Sequence, residues 1–577
     1  MFLVHVYLFF IALISVFTTH VAAEQYKIVE TLDGQVRGVQ KLTLLKEIPF
    51  YSFKGIPYAK PPIGDLRFKV PEPVESWNHV LDAFEHGKIC VQPGKLVPQP
   101  FAQSEDCLTL NIFVPANIKT DEKLAVLLFI HGGGYAEGSS NDYFHGPDFI
   151  IEKQTIVVTI NYRLGLLGFL SLDSPEISGN MGLKDQQLAL KWIHSNIGRF
   201  GGDNKRITVF GESAGGASVH LHVLSAESRK YFRNAIIMSG VVDNYWAMSD
   251  NNDHVELAYQ MARELDEPKD TIEELVAFLK SAPPNKLSQN INIAETKLRL
   301  PLPFTPVIER KDAIQPFIVD TPKHIYETKK VEVDVLFTMT SAEMVGFLSM
   351  LPPLKDQPEK FDIQLPFRGL RFSSNSEEHR NLTAEIHKFY FGDGAKEDRS
   401  INQYAELLSD LNFRYGIDKA VKTHAAKSKG KTYYSWFSVD SKLNAFKSQN
   451  PDSAKLPGAS HAEDLFYLFR CHMVQSLYDE VISSKDDEHS KISLQAIDHI
   501  SKIFTNFAKY GKPTHQNDPL GGFQPVNNDE VHYLDITNGG LTTGVGPNQK
   551  AFELWASIEQ RAMQLSEGTI KPLRDEL

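Results

Sequence analysis

Residues 208–217 read TVFGESAGGA, a short β-branched and aromatic run that stops at a glycine and is followed by a serine among small residues. The run resembles a strand and the residues after it a helix, so Ser213 lies where a predicted strand meets a predicted helix. In that context Gly-x-Ser-x-Gly predicts a nucleophile elbow, which exposes the serine hydroxyl at the carboxyl edge of a sheet. Gly211 and Gly215 must be small, because larger side chains there would collide across the turn. A plain structural turn is the alternative interpretation.

A second glycine-rich stretch, HGGGY (131–135), directly follows the apolar run AVLLFI. Successive glycines let backbone amides face a cavity, which is what an oxyanion hole requires, and each such donor is worth roughly 3–4 kcal/mol in the transition state. The amide of Ala214, next to the elbow serine, is expected to face the same place. A phosphate-binding loop is excluded because no Lys-Ser/Thr pair follows the glycines.

A base and an acid follow the serine in the chain order Ser, acid, His that this kind of elbow uses. His461 lies in PGASHAEDLF (457–466), between a strand-like and a helix-like segment. Glu343 follows the strand candidate VDVLFTM (333–339), so its carboxylate is expected at the same sheet edge as Ser213. The sequence therefore predicts a Ser213–His461–Glu343 triad.

Continuous apolar runs alternate with amphipathic stretches along the chain. Such runs suit strands that are covered by helices on both faces. The strand candidates are AVLLFIH (125–131), TIVVTINYR (155–163), ITVFG (207–211), AIIMSG (235–240), VDVLFTM (333–339) and KTYYSWFSV (431–439), and a helix is predicted at 181–197. The alternation predicts one large α/β domain with a mostly parallel sheet, in which 250–330 and 350–430 are helical excursions over the sheet edge.

The two ends of the chain carry targeting signals. Residues 1–23 contain an apolar run that ends in small residues, which is typical of a removed signal peptide; no later stretch is long enough to span a membrane. The chain ends in RDEL (574–577), which differs from the KDEL retention signal only in its first, basic residue. We expect a catalytic domain at 24–565, a flexible tail at 566–577 that binds a retention receptor, and residence in the endoplasmic reticulum lumen, with secretion as the alternative.

The charge, the cysteines and one sequon indicate which ligands and covalent modifications to expect. A net charge of −12 without a basic stripe excludes general nucleic-acid binding, since neutralising phosphates requires a basic face. In an oxidising lumen, Cys90 and Cys107 are expected to form a disulfide worth about 3 kcal/mol, which leaves Cys471 as a buried free thiol. The only Asn-x-Ser/Thr sequon begins at Asn381, an expected glycosylation site.

Four segments identify the sequence as similar to the type-B carboxylesterase/cholinesterase family, and within it to the insect alpha-esterases. They are FKGIPYAKPPIGDLRFKVPEPVESW (53–77), EDCLTLNIFVP (105–115), NYRLGLLGFLS (161–171) and GNMGLKDQQLALKWIHSNIGRFGGDNKRITVFGESAGG (179–216). The resemblance implies an α/β-hydrolase fold and ester hydrolysis through an acyl-enzyme, without metal or cofactor. It implies that Ser213 is the nucleophile, His461 the general base and acid, and Glu343 the orienting carboxylate. It also implies an oxyanion hole formed by the amides of Gly133, Gly134 and Ala214, and a Cys90–Cys107 disulfide.

Two features bear on the substrate. Cholinesterases carry a cation-binding tryptophan in the loop between their first paired cysteines, whereas Val91–Asp106 has Phe101 as its only aromatic residue, so choline esters should be poor substrates. Glu212 precedes the serine, where juvenile hormone esterases typically have Gln; it either favours a protonated His461 or forms a structural ion pair. We expect hydrolysis of hydrophobic xenobiotic or lipid-type esters. The alternatives are a slow-turnover protein that sequesters esters or organophosphates and a specialised hormone or odorant esterase.

Overall fold

A computed structural model of the protein describes residues 25–94, 101–119, 122–175, 177–288, 302–350, 363, 365, 367, 370, 376–393, 400–515 and 523–568. The predicted signal peptide at 1–23 and the terminal RDEL at 574–577 lie outside these residues. The last helix ends at Gly568, three residues inside the segment predicted as a tail. None of the described helices combines the length and the apolar character needed to traverse a lipid bilayer.

Thirteen strands of the described chain form one mixed sheet in the order β1-β2-β3-β7-β9-β8-β10-β11-β12-β13-β14-β15, with β4 beside β2; β5 and β6 pair separately. The strands are β1 (Tyr26–Glu30), β2 (Gln35–Leu42), β3 (Pro49–Pro57), β4 (Val80–Asp82), β5 (Ile89–Cys90), β6 (Gln103–Ser104), β7 (Thr109–Pro115), β8 (Leu124–Ile130), β9 (Ile156–Ile160), β10 (Gly202–Glu212), β11 (Asn234–Met238), β12 (Asp334–Thr340), β13 (Thr432–Phe437), β14 (His532–Thr537) and β15 (Gly540–Val545). The run from β9 to β14 is parallel, and the strands at either end pair antiparallel. All six predicted strands are confirmed and lie in the parallel run.

Strand β8 shows why this sheet is buried on both sides. All seven of its residues are buried. Val126, Leu128 and Ile130 point into one hydrophobic core, while Leu127 and Phe129 point into another. Because side chains alternate across a strand, a continuous apolar run fills two cores at once.

The helices form layers on both faces of the sheet. They are α1 (Asp142–His145), α2 (Asp148–Ile151), α3 (Gly165–Phe169), α4 (Met181–Asn196), α5 (Ala214–Leu224), α6 (Asn251–Glu264), α7 (Ile272–Ser281), α8 (Pro284–Leu287), α9 (Pro322–Thr328), α10 (Glu377–Phe391), α11 (Ile401–Ser409), α12 (Tyr415–Lys427), α13 (Leu465–Leu468), α14 (Gln475–Ser483), α15 (Glu488–Tyr510) and α16 (Gln549–Gly568). Helices α4, α5, α6, α9 and α12 pack into one core, and α2, α13, α14 and α15 into the other. The predicted α/β architecture is confirmed.

Helix α15, the longest, illustrates how local sequence sets an element's bounds. Asp487 caps its first turn by accepting a hydrogen bond from the amide of Ser490, and Gly511 ends it with a φ of 68°. Between these ends, Ile500, Phe504 and their neighbours on the same face are buried against the sheet. The irregular regions predicted as helical excursions contain α6–α9 and α10–α12.

The predicted disulfide is present, with the Cα atoms of Cys90 and Cys107 5.0 Å apart. Cys471 is a buried free cysteine, and burial raises the pKa of its thiol to about 11. A high pKa keeps this thiol protonated and unreactive.

Candidate active site

Ser213 occupies a sharp corner at the centre of the parallel run. Strand β10 ends at Glu212 and helix α5 begins at Ala214, so the serine stands alone at the turn. Its φ of 59° and ψ of −125° lie in a region that residues with side chains rarely adopt. The amide of Ser213 donates to the carbonyl of Met238 at 2.9 Å, which ties the corner to β11. This strained conformation is supported by the adjacent strand.

The corner closes only because glycines surround it. A Cβ added at Gly211 would lie 2.5 Å from the carbonyl oxygen of Gly215, and one at Gly215 would lie 2.1 Å from that of Ile130. A Cβ at Gly240, in the loop after β11, would lie 2.0 Å from the carbonyl oxygen of Ser213. The first two distances agree with the small residues expected at positions 211 and 215. The third distance shows that Gly240, which is remote from the elbow in sequence, must be small as well.

Glu343 lies just beyond the carboxyl end of β12 and is fully buried. Its Oε1 accepts hydrogen bonds from Ser239 Oγ at 2.6 Å and from the Thr340 amide at 2.9 Å. Its Oε2 contacts His461 Nδ1 at 2.7 Å. Since both carboxylate oxygens are engaged, Glu343 fixes the orientation of the imidazole.

His461 is held to Glu343 through its backbone as well as its ring. Its amide donates to the Glu343 carbonyl at 3.0 Å. The loop is sharply turned on both sides, because Gly458 has a φ of 86° and Ala462 a φ of 63°. The second ring nitrogen, Nε2, lies 3.0 Å from Glu212 Oε1. This contact pairs the imidazole with a second carboxylate, and no other described residue donates a hydrogen bond to Glu212 Oε1.

The imidazole therefore lies between two carboxylates. Burial lowers the pKa of His461, but the charges of Glu212 and Glu343 outweigh burial and raise that pKa to about 10. A third carboxyl, Asp464, is buried, and its Oδ1 has no hydrogen-bond partner. Burial and the charges of Glu212 and Glu343 raise the pKa of Asp464 well above its ordinary value, which favours the uncharged form of this group.

Two aromatic rings flank the imidazole. The ring centroid of Phe413 lies 4.5 Å from that of His461, and the ring centroid of Phe347 lies 5.7 Å away. Phe413 belongs to a single π-helical turn, Asp410–Arg414, between α11 and α12. Asn244 Nδ2 donates to the carbonyl of Phe413 at 3.0 Å and so supports this turn. The two rings give the imidazole an aromatic border beside its carboxylate partners.

The glycine-rich segment lies against the elbow. A Cβ at Gly132 would lie 3.0 Å from the Cβ of Ser213. Gly133 and Gly134 have φ values of 96° and 62°, which favour glycine. Within the described chain, the amides of Gly133, Gly134 and Ala214 donate no hydrogen bond. Three amides near one serine are thus available to an incoming oxygen atom.

The structure places Glu343 and His461 in direct contact and puts the imidazole beside the elbow of Ser213. Ser213 Oγ makes no hydrogen bond with the described residues, because Nε2 of His461 faces Glu212 instead. Ser239 was not predicted from the sequence; it lies near the end of the predicted strand 235–240, directly after the observed strand β11 ends at Met238. Asn381 lies apart from this site, exposed on helix α10. No three His, Cys, Asp or Glu side chains of the described residues are grouped to hold a metal ion.

Comparison with known proteins agrees with this geometry. Residues 25–555 match the model of the carboxylesterase family. The chain is 30% identical to Esterase B1 of Culex pipiens, with 92% of this chain and 97% of the relative covered. It is 33% identical to juvenile hormone esterase of Tribolium castaneum over 81% of both chains. A carboxylic ester hydrolase of Bombus ignitus is 32% identical, with 89% and 91% covered.

One solved structure is similar over nearly the whole chain. It is juvenile hormone esterase from Manduca sexta with OTFP covalently attached, which superposes with a TM-score of 0.80 at 29% identity. The alignment covers 93% of this chain and 100% of that one.

Proposed function

Because this chain belongs to the carboxylesterase family and is a carboxylic-ester hydrolase, we propose that it hydrolyses hydrophobic esters through an acyl-enzyme formed on Ser213. The observation that carries the proposal is the 2.7 Å contact between His461 Nδ1 and Glu343 Oε2, made beside a strained serine. A histidine that donates from Nδ1 to a buried carboxylate presents Nε2 as the base.

The reaction follows from these positions. Ser213 Oγ attacks the ester carbonyl carbon while Nε2 of His461 takes the hydroxyl proton, which leaves an imidazolium. The amides of Gly133, Gly134 and Ala214 donate to the carbonyl oxygen as it becomes negative. The tetrahedral intermediate collapses, the imidazolium protonates the departing alcohol, and the acyl group remains on Ser213. Water then attacks the acyl-enzyme by the same proton transfers and releases the acid.

Glu212 stabilises the imidazolium in this scheme. Its carboxylate lies 3.0 Å from Nε2, the atom that gains the proton. For Nε2 to act as a base, it must release its proton, leave Glu212 and turn toward Ser213 Oγ; hydrogen bonds of this kind commonly align only once substrate is bound. The sequence left two roles open for Glu212: a structural ion pair, or stabilisation of a protonated His461. One contact can fill both roles, because the ion pair orders the site and also favours the charged ring.

The substrate class follows from the surroundings of the reacting atoms. Phe413 and Phe347 border the imidazole, and the Trp246 ring centroid lies 5.8 Å from that of Phe413. Aromatic walls favour apolar acyl or alcohol groups over charged ones. Xenobiotic and lipid-type esters have such groups.

Turnover of p-nitrophenyl butyrate by the purified protein and by its Ser213→Ala variant tests the proposal. The wild type should turn over many equivalents, and the variant should show no hydrolysis above background. A phosphonate ester should label the wild type on Ser213 and leave the variant unlabelled. A burst of one equivalent followed by negligible turnover would instead identify a sequestering protein. Unchanged turnover in Ser213→Ala would refute the mechanism.

The targeting signals support a second part of the proposal, residence in the endoplasmic reticulum lumen. An apolar leader at 1–23, a sequon at an exposed asparagine and the terminal RDEL are mutually consistent. Deletion of residues 574–577 should move the protein into the culture medium, and Asn381→Gln should remove one glycan. Retention without the four residues would contradict a role for a retention receptor.

A further inference from the structure

The side chain of His131 has no role in the mechanism above, yet it lies beside the amides that receive the oxyanion. It follows β8 directly and is 2% exposed. Its Nδ1 lies 2.9 Å from the carbonyl oxygen of Gly132. A carbonyl oxygen can only accept a hydrogen bond, so Nδ1 carries the proton and donates it. Burial lowers the pKa of this imidazole to about 4, so the ring is neutral at physiological pH.

The imidazole is fixed in place by its own neighbours. It stacks on Tyr162 with ring centroids 4.5 Å apart, and the hydroxyl of Tyr162 donates to the His131 carbonyl at 2.8 Å. Gly138 leaves the space in which the ring lies, because a Cβ there would be 2.3 Å from Nδ1. The Nδ1–H group therefore has one orientation available to it.

Peptide geometry transmits that orientation to the next amide. The peptide between Gly132 and Gly133 is planar and trans, so its N–H points opposite to its C=O. Fixing the Gly132 carbonyl toward His131 turns the amide of Gly133 the other way. The carbonyl of Gly133 is likewise held by the amides of Ala136 and Glu137, at 3.1 and 3.0 Å. Two successive carbonyls are thus bound on the side of the loop opposite the amides of Gly133 and Gly134.

We propose that His131 is a positioning residue for ester hydrolysis: its Nδ1–H holds the Gly132 carbonyl so that the Gly133 amide is directed at the substrate oxyanion. The inference rests on the proposed function, in which that amide is an oxyanion donor. Donors that are oriented before the reaction need no rearrangement when charge develops, and this is the source of their effect on rate.

A matched pair of variants tests the proposal. In His131→Asn the side-chain NH2 is the same number of bonds from Cα as Nδ1, so the donor is kept; His131→Leu has a similar shape without a donor. We expect kcat for p-nitrophenyl butyrate to be roughly 10- to 100-fold lower in the Leu variant than in the Asn variant, with KM changed less than about threefold. Melting temperatures show whether both variants fold.

Inhibitor binding separates positioning from a structural effect. A trifluoromethyl ketone forms an adduct with a negatively charged oxygen, whereas the parent methyl ketone binds without that charge to a much smaller extent. The Leu variant should lose trifluoromethyl ketone affinity by the same factor as kcat/KM and keep its affinity for the methyl ketone. If His131→Leu does not fold, His131→Met serves instead, since its flexible side chain fills a similar space and has no hydrogen-bond donor.

Different results would contradict the role of His131 and the proposed ester hydrolysis. Equal kcat and equal inhibitor affinity in the Asn and Leu variants, with the wild type active, would overturn the role of His131 alone. An inactive wild type, or an active Ser213→Ala variant, would overturn the proposed function and this inference with it.

Discussion

Nε2 of His461 lies 3.0 Å from Oε1 of Glu212, the residue that immediately precedes the elbow serine. The same ring contacts Glu343 through Nδ1 at 2.7 Å. An imidazole held between two carboxylates binds its proton tightly, so we expect this relationship to set the pH response of the proposed reaction.

Replacing Glu212 should shift the pH profile. Glu212 is the largest of the influences that raise the pKa of His461, so Glu212→Gln should lower that pKa. Because the neutral imidazole is the base, the acid limb of kcat/KM should move to lower pH by about one unit or more, and the plateau should fall roughly tenfold as the imidazolium loses a partner. The control is Asp464→Asn, in which a neutral amide of the same shape replaces a buried carboxyl whose raised pKa favours its uncharged form; this variant should leave the acid limb where it is. Identical limbs in wild type and Glu212→Gln would show that this ion pair does not tune the base.

Removing the hydroxyl that holds Glu343 should reduce activity as well as stability. Ser239→Ala deletes the 2.6 Å hydrogen bond to Oε1 of a fully buried carboxylate, at a cost of about 1–3 kcal/mol in the free energy of unfolding. We expect kcat to fall roughly tenfold, since a freer Glu343 no longer fixes the imidazole. Ser249→Ala is a matched control, because Ser249 is also buried and shares a 2.7 Å hydrogen bond with Thr305, not with Glu343. Equal kcat losses in the two variants would contradict a specific role for Ser239.

The elbow should not tolerate one added methyl group. In Gly215→Ala the new Cβ would lie 2.1 Å from the Ile130 carbonyl oxygen, a backbone atom that cannot move without displacing β8. We expect loss of activity and a lower melting temperature. Gly198→Ala adds the same atom in open space and should be neutral or stabilise by up to about 1 kcal/mol. Thermal unfolding and p-nitrophenyl butyrate assays of both variants provide the comparison, and a fully active Gly215→Ala would disprove the steric argument.

Buried neutral histidines should make stability depend on pH, and His222 allows this to be measured for one residue. Its ring nitrogens contact Ser228 Oγ at 2.8 Å and Gln186 Oε1 at 2.9 Å, and burial lowers its pKa to about 3. Between pH 6.5 and 3 the unfolded chain binds a proton here that the native state does not, so the stabilisation is lost as pH falls. His222→Gln lacks this dependence. The difference in unfolding free energy between wild type and variant should therefore shrink by about 3 kcal/mol from pH 7 to pH 4, as measured by urea titration. A constant difference would mean that the ring binds its proton as readily in the native state as in the unfolded chain, so that its pKa is not lowered by burial.

Choline esters should be poor substrates. The segment between Cys90 and Cys107 has Phe101 as its only aromatic residue, and the Phe101 ring packs against Tyr143 with centroids 5.5 Å apart. A cation–π site is worth about 0.5–2 kcal/mol, and without one the charged alcohol group gains nothing to offset the loss of its hydration on binding. Butyrylthiocholine should therefore have a lower kcat/KM than its uncharged 3,3-dimethylbutyl analogue. Comparison of kcat/KM for the two thioesters measures this. Preference for the charged ester would reveal a cation site elsewhere.

The central sheet could be predicted from the sequence because its strands are buried on both faces. Runs such as AVLLFIH at 125–131 admit no other placement once they are bounded by polar residues. The antiparallel strands β1 to β3 were not predicted, since their buried and exposed residues mix; β2 reads QVRGVQKL, with only Val36, Gly38 and Val39 buried.

The residues of the site also divide into those that could be predicted from the sequence and those that could not. Ser213, Glu343 and His461 stand in motifs whose chain order and strand context can be read directly. Ser239 and Phe413 act through contacts with residues far away in sequence, and the π-helical turn that carries Phe413 has no periodic signal of its own. Side-chain contacts across the fold, such as that of Glu212 with His461, depend on how distant segments pack together. The spacing of apolar residues along the sequence does not reveal this packing.

The bond between Glu343 and His461 joins residues 118 positions apart, and its partners stand on elements that meet only when the parallel strands have assembled. A nascent or partly folded chain consequently has no working hydrolase. Recovery of esterase activity is then a stringent reporter of complete folding.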